Sequence, residues 1–338
     1  MVALRRYTPD MAGVWDGFVD ASRNGTFILR RGFMDYHADR FADRSLLAMK
    51  GGAVMALLPA NLVREADGRL RLCSHGGLTY GGLVLPPRHV DATDVLDIFR
   101  LITGYCREEG ISVLDYKPIP DIYAAMPSEE DRYALFRLGA RMEVCNLSCA
   151  IDLRHNPGFN TRQRRNLRRA LGYGPVYGEV RGGEVRGGGV NDEMSGGRQD
   201  STLNEFYGML CACLAERHDA RPVHALEELE LLKRRFPQHI RIHTCADSDG
   251  IQAGICVFDT GRVAHCQYIA STAQGRDRGL LTALFHHLIT EVYASRVYFD
   301  FGTSNEDSGR ILNPGLYAQK SALGGSGVLY PRFILDIK

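Results

Sequence analysis

The order of elements in this chain of 338 residues is written twice, and that repetition restricts it to a tandem of two similar α/β units. In the first half, residues 45–50 and 53–63 read as a hairpin closed by Gly51-Gly52, and residues 69–85 as a further strand running into a glycine-rich loop. A helix over 91–109 follows, with Val95, Ile98, Phe99, Ile102 and Cys106 at three-and-four spacing and Gly110 as its stop. A buried strand at 111–116, a helix over 128–138 capped by Ser128 and stopped by Gly139, and a strand at 143–153 complete the set. The second half repeats it. Strands at 240–246 and 251–259 flank a turn at 247–250, and a strand at 263–270 leads into a loop at 271–279. A helix over 279–293 carries Leu280, Leu281, Leu284, Leu288 and Val292 on one side; a strand at 296–302, a helix over 314–323 and a strand at 328–337 close the chain. Pro331 places that last strand at an edge or a bulge.

Between the halves, residues 172–197 hold little apolar content and a small local repeat, EVRGGEVRGG, and cannot build a core. The expectation is a glycine-rich mobile insertion at about 172–200, with 191–200 as loop and a helix from Ser201 bearing Leu203, Phe206, Tyr207, Leu210 and Leu214. Another helix, over 225–236, ends before Pro237. The division expected is a first unit at 1–155 and a second at 156–338.

Composition bounds the function. Hydrophobic residues at 45% and charged residues at 24% describe an ordinary globular protein. The 41 Lys and Arg against 40 Asp and Glu leave no global field for DNA or an anionic membrane, so any polyanion site must be local. Nine cysteines, an odd number lying mostly in apolar runs, point to reduced core thiols in a cytoplasmic protein. No apolar stretch reaches the ~18 residues a membrane span needs, and no secretory h-region follows the first residues, which leaves at most peripheral membrane contact. Cys211, Cys213 and His218 match no zinc spacing, so no metal is expected.

The doubled order of hairpin, strand, loop and helix, strand, helix and strand resembles the GNAT acyltransferases. Three segments narrow the resemblance to the Fem-type peptidoglycan aminoacyltransferases: the basic run at 162–170, the strand end Tyr298-Phe-Asp-Phe-Gly302, and Gly315-Leu-Tyr-Ala-Gln-Lys320-Ser-Ala-Leu-Gly-Gly325. In the last, Gln319 and Leu323 stand where the family carries aromatic residues. The resemblance implies two GNAT-like domains, each a mixed, mostly antiparallel sheet flanked by helices, the first on the acceptor side and the second on the donor side. It also implies an acyltransferase that moves an acyl or aminoacyl group onto an amine of a cell-envelope precursor or related glycan without a covalent enzyme intermediate. The donor would be acyl-CoA or an aminoacyl-tRNA, with no tightly bound cofactor. The alternatives are an acetyl-CoA-dependent N-acetyltransferase of a small amine, and an inert double module that binds phosphate or nucleic acid.

Acyl transfer to an amine needs a proton acceptor and donors for the oxyanion. In the resemblance Lys320 stands beside the reacting acyl group; read alone, it is equally a solvent-facing helical lysine. Asp300 shares a strand face with Tyr298, opposite Val297, Phe299 and Phe301, and either takes the amine's proton or caps the following loop. Tyr268 is a secondary candidate acid. Gln274-Gly-Arg-Asp-Arg-Gly279 offers half of a pyrophosphate loop, with Arg276, Arg278 and Gly279 as donor-binding candidates. The arginines Arg162, Arg165 and Arg169 share one helical side suited to phosphate. Arg30, Arg31, Tyr36, His37 and Arg40, packed among aromatics, resemble an acceptor-binding stretch, or form an ordinary helix with a basic side. Tyr80 and Tyr317 complete the substrate-binding candidates.

Overall fold

A computed structural model describes residues 2–180, 193–218 and 220–338. The chain forms two compact units, one of residues 1–148, 304–313 and 328–338, the other of residues 149–303 and 314–327. Two returns of the chain to the first unit, at 304–313 and 328–338, are invisible to a reading that expects one division at 155/156.

In the first unit, strands Val2–Arg6, Leu46–Lys50 and Ala53–Leu58 form an antiparallel sheet whose hairpin turns on Gly51 and Gly52, both at positive φ. A second sheet joins Asn61–Arg64 and Leu70–Cys73 antiparallel, Leu70–Cys73 and Ile111–Tyr116 parallel, and residues 333–336 antiparallel to 113–116. Pro331 lies within the strand Ser326–Asp336, ahead of the stretch paired with 113–116, and this strand has a neighbour on each side rather than standing at the edge that Pro331 suggested. The parallel pair demands a crossover, supplied by the helix Ala92–Glu108. Asp91 caps it reciprocally with Asp94, and Val95, Ile98, Phe99, Ile102 and Cys106 are all buried against the sheet. The next helix, Glu130–Arg137, starts past the expected N-cap, because Ser128 instead accepts a hydrogen bond from the Arg23 guanidinium (3.1 Å).

The second unit repeats the plan. Strands Ile240–Asp247 and Gly250–Asp259 form the hairpin, Val263–Ser271 adds antiparallel, and Tyr298–Thr303 pairs with Val263–Ser271 in parallel. The crossover is the helix Leu280–His287, continued by a π-turn at Leu288–Val292. Phe299 and Phe301 point into a core with Leu284, Phe285, Leu288 and Tyr293, which leaves Asp300 on the other face. Residues 176–180 of the expected mobile insertion form a strand paired with 242–246; residues 181–192 lie outside the described residues. The helix after them spans Glu193–His218, so its start precedes the expected Ser201 and takes in the expected loop. All nine cysteines are free.

The three-stranded sheet is antiparallel throughout, and the parallel pairs described are Leu70–Cys73 with Ile111–Tyr116 and Val263–Ser271 with Tyr298–Thr303. The largest buried ring at the parallel pair of the second unit is Phe299, fully enclosed. Phe299→Ala is expected to destabilise the protein by about 3–5 kcal/mol, read from chemical unfolding; a cost under about 1 kcal/mol would show that this strand is not the core's anchor.

Candidate acyl-transfer site

The second unit holds a cavity of about 590 Å³ lined by residues of five helices and the end of the strand Val263–Ser271. One wall is the helix Thr161–Leu171, capped by Asn160, whose side chain accepts from the Gln163 N–H (2.9 Å). Gln163 turns inward, and its Oε1 accepts from Thr282 Oγ1 (3.1 Å) and Asn166 Nδ2 (3.3 Å), bridging this helix to Leu280–His287. The two helices approach closely at Gly279, at φ 78°, where an added Cβ would lie 3.0 Å from the Asn166 carbonyl. Only glycine fits both the left-handed backbone and that approach.

Arg162 and Arg276 are the cationic side chains on the cavity wall. Arg276 donates to the Ser271 carbonyl (2.7 Å) and pairs with exposed Glu216 at 3.4 Å. The glycine-rich turn is itself a short helix, Ala273–Arg278, capped by Thr272. Arg278 is occupied elsewhere: it binds Asp247 and Asp249 (2.8 Å) and lies over the Tyr173 ring. Arg165 and Arg169 are exposed and stand outside the cavity lining.

The helix Pro314–Ser321 closes another side, with Gly315, Ala318 and Gln319 on the cavity and Tyr317 half-buried beside it. Burial raises the Tyr317 phenol, with the nearby Cys149 thiol adding to the effect. Lys320 turns away from solvent, only 6% exposed, and its Nζ donates to the carbonyls of Gly302 (2.9 Å) and Thr303 (2.7 Å). Burial pulls its ammonium below the usual lysine range, and Asp300 opposes that pull. Asp300 is fully buried. Its Oδ1 accepts from the Gly302 N–H (3.0 Å) and its Oδ2 from His265 Nδ1 (2.8 Å).

His265 was missed in the sequence. The signal that finds it is register: Val263–Ser271 and Tyr298–Thr303 pair in parallel with His265 opposite Asp300. The Asp300 carboxylate orients the imidazole through Nδ1. Tyr268, further along that strand, is buried; its oxygen accepts the His224 N–H (3.1 Å) and lies 2.6 Å from His224 Nδ1. The sequence offered no sign of His224.

The first unit treats the same positions differently. Cys73 pairs opposite Asp115 as His265 does opposite Asp300, but Asp115 is gripped by Arg332 (Nε 2.6 Å) and Arg71 (3.3 Å), and burial pushes the Cys73 thiol up to about 11. Its glycine-rich loop is filled by its own chain. Asn61 takes the Gly76 N–H (2.6 Å), the Gly81 N–H goes to the Lys117 carbonyl, and Lys117 Nζ donates to Leu78. Tyr80 packs on Tyr123 and bonds Thr26 (3.0 Å). Arg31 is buried over the Tyr7 ring and paired with Asp35 and Asp43, so it fastens the fold, while Arg30 lies 3.7 Å from both Asp16 and Asp20. Tyr36 stacks on buried His37, and Arg40 lies over Tyr36. Among the described residues no group of acids, histidines and cysteines could hold a metal, and no helix is long and apolar enough to cross a membrane.

Burial brings the Lys117 ammonium down to about 8 from its unfolded value of 10.5. The unfolded chain therefore binds more protons between those values, and this group makes stability rise with pH from about 8 to about 10.5. Lys117→Met is expected to flatten that rise in unfolding experiments across this range. Parent and variant with equal slopes would contradict it.

Comparison with known proteins agrees with this geometry. A family model described as an acetyltransferase (GNAT) domain matches residues 161–308, which include Asp300 and His265 but not the cavity helix Pro314–Ser321. No curated protein matches in sequence. Among solved structures, FemX superposes with a TM-score of 0.68 at 12% identity, covering 98% of this chain and 97% of its own. The structure of L-PGS from Bacillus licheniformis gives 0.59 at 12% identity, covering 96% and 91%. The C-terminal domain of a putative lysylphosphatidylglycerol synthetase from Agrobacterium fabrum gives 0.57 at 11%, covering 95% and 92%. The expected resemblance is borne out at the level of the fold: the chain shares the fold of FemX, and residues 161–308 match the acetyltransferase (GNAT) domain model.

Proposed function

We propose that the protein transfers an acyl or aminoacyl group to an amine of a cell-envelope precursor or related glycan, with the donor held in the second unit and the acceptor on the side of the first. The observation that carries this reading is the cavity lined by Arg162 and Arg276 at the end of the strand Val263–Ser271, the strand on which His265, a few residues before the cavity, is paired with Asp300. Guanidinium forks match the phosphate oxygens that both donor classes carry. The family match of residues 161–308 favours acyl-CoA; the FemX-like fold keeps aminoacyl-tRNA as the second reading. An acyl-CoA donor here is a co-substrate, released as the thiol.

In this reading the amine attacks the donor carbonyl directly. His265 Nε2 takes the proton lost by the amine, and Asp300 fixes the imidazole as a positioning residue. Lys320 spends two of its three N–H donors on the strand-end carbonyls, and the third faces the negative charge that builds on the carbonyl oxygen. Tyr268, held by His224, is the acid for the leaving group. Gln319 and Leu323, both on the cavity, limit the acyl group that enters.

The test is a thermal-shift panel of acyl-CoA thioesters, charged tRNA and nucleotide-linked precursors, followed by turnover of the ligands that protect. A ligand at a hundredfold its Kd stabilises by about 2.7 kcal/mol. Arg162→Gln and Arg276→Gln are each expected to weaken the donor about 10- to 100-fold, the worth of a charged hydrogen bond. Lys320→Met is expected to lower kcat about 100- to 1,000-fold with the donor Kd kept. Protection by none of these donors favours the inert module, and activity that survives both Lys320→Met and His265→Gln removes the catalytic assignment.

A further inference from the structure

The arginine helix has more charge than the cavity uses. Thr161–Leu171 turns Gln163 and Ala170 inward, and Arg162 alone of its five arginines lines the cavity. On the outward side, Arg164, Arg168 and Leu171 stand at i, i+4 and i+7 and form one stripe along the helix. Arg168 has no acidic partner among the described residues, and Arg164 reaches only the Thr161 hydroxyl of its own first turn (3.2 Å). An arginine stripe without acids is unusual in a chain whose charges otherwise balance to +1.

The chain then adds apolar groups to that stripe. Leu171 is 53% exposed, Tyr173 47% and Val176 66%, within six residues that join the helix to the strand Val176–Val180. A solvated basic helix needs no such ridge. A nucleic-acid surface would take the arginines and the tyrosine but has no use for an exposed leucine and valine. The interface of an anionic bilayer uses all of them: guanidiniums at the phosphates, a tyrosine at headgroup level, and aliphatic side chains at the acyl boundary.

We infer that this face, Arg164, Arg168, Leu171, Tyr173 and Val176, docks the protein reversibly on an anionic lipid surface. The binding is independent of the donor cavity, so the inference stands or falls apart from the proposed chemistry.

Cosedimentation of the full chain with vesicles of phosphatidylglycerol and phosphatidylcholine, against phosphatidylcholine alone, tests it. Binding is expected to the anionic vesicles only and to weaken with salt. The double variant Arg164→Gln, Arg168→Gln should lower the partition about 25-fold, at about fivefold for each arginine. Leu171→Ser with Val176→Ser should also lower it at least fivefold, with the thermal midpoint within a degree or two of the parent. Absence of binding to anionic vesicles, or equal binding to neutral ones, overturns the inference. So does binding that follows the arginines but ignores Leu171 and Val176, which would mark a site for RNA or another soluble polyanion; a gel shift with unfractionated RNA, lost only in the arginine variant, would identify it.

Discussion

A carboxylate with no access to water sits at the end of the strand Tyr298–Thr303, and the second unit is organised around keeping it satisfied. Burying an ionised group costs several kcal/mol unless donors replace its hydration. Asp300 recovers that cost from the Gly302 N–H and His265, with the Lys320 ammonium nearby. The left-handed Gly302, at φ 77°, belongs to the same device, because its turn brings the N–H back onto Oδ1. Lys320 then clamps the two carbonyls released by that turn. Each member solves another's burial, so the cluster holds one arrangement, and a base fixed in one arrangement is what acyl transfer to an amine requires.

The duplication supplies a built-in comparison. Asp115 occupies the same place on the parallel pair of the first unit, but two guanidiniums hold it and a thiol stands where the second unit has an imidazole. A thiol raised to about 11 neither accepts nor releases a proton near neutrality. The same fold position is therefore held by two guanidiniums in one copy and by an imidazole and a backbone N–H in the other. Fold alone would not have told them apart.

Much of the fold was legible because period and punctuation agree. The stripe from Val95 to Cys106, its reciprocal cap at Asp91 and Asp94, and the Gly51-Gly52 turn state their structure locally. The basic helix and the glycine-rich turn were legible for the same reason. What stayed hidden depends on contacts between distant segments. His265 is an unremarked strand residue until its register against Asp300 is known, and Arg31 reads as a binding residue until Asp35 and Asp43 enclose it. Arg278 likewise sits in the right motif, yet two aspartates on the neighbouring hairpin claim it. The helix start at Glu193 was hidden too, since Ser, Gly and Asp at 195–200 carry turn propensity that the folded chain overrides.

The two glycine-rich loops differ in what fills the space beside them. In the first copy, glycines let the chain close on itself: Gly77 packs on the His37 ring, Gly81 meets the Ser74 carbonyl, and the Lys117 amine fills the space beneath. In the second copy, the left-handed Gly279 brings two helices close together, and both line the cavity. The polar groups that survive on that volume are either paired with one another, as Gln163 with Thr282, or charged and half-free, as Arg162 and Arg276. Paired groups keep the shape without a ligand, and neither guanidinium is a buried unpaired charge, since Arg162 is exposed and Arg276 is held by the Ser271 carbonyl and Glu216.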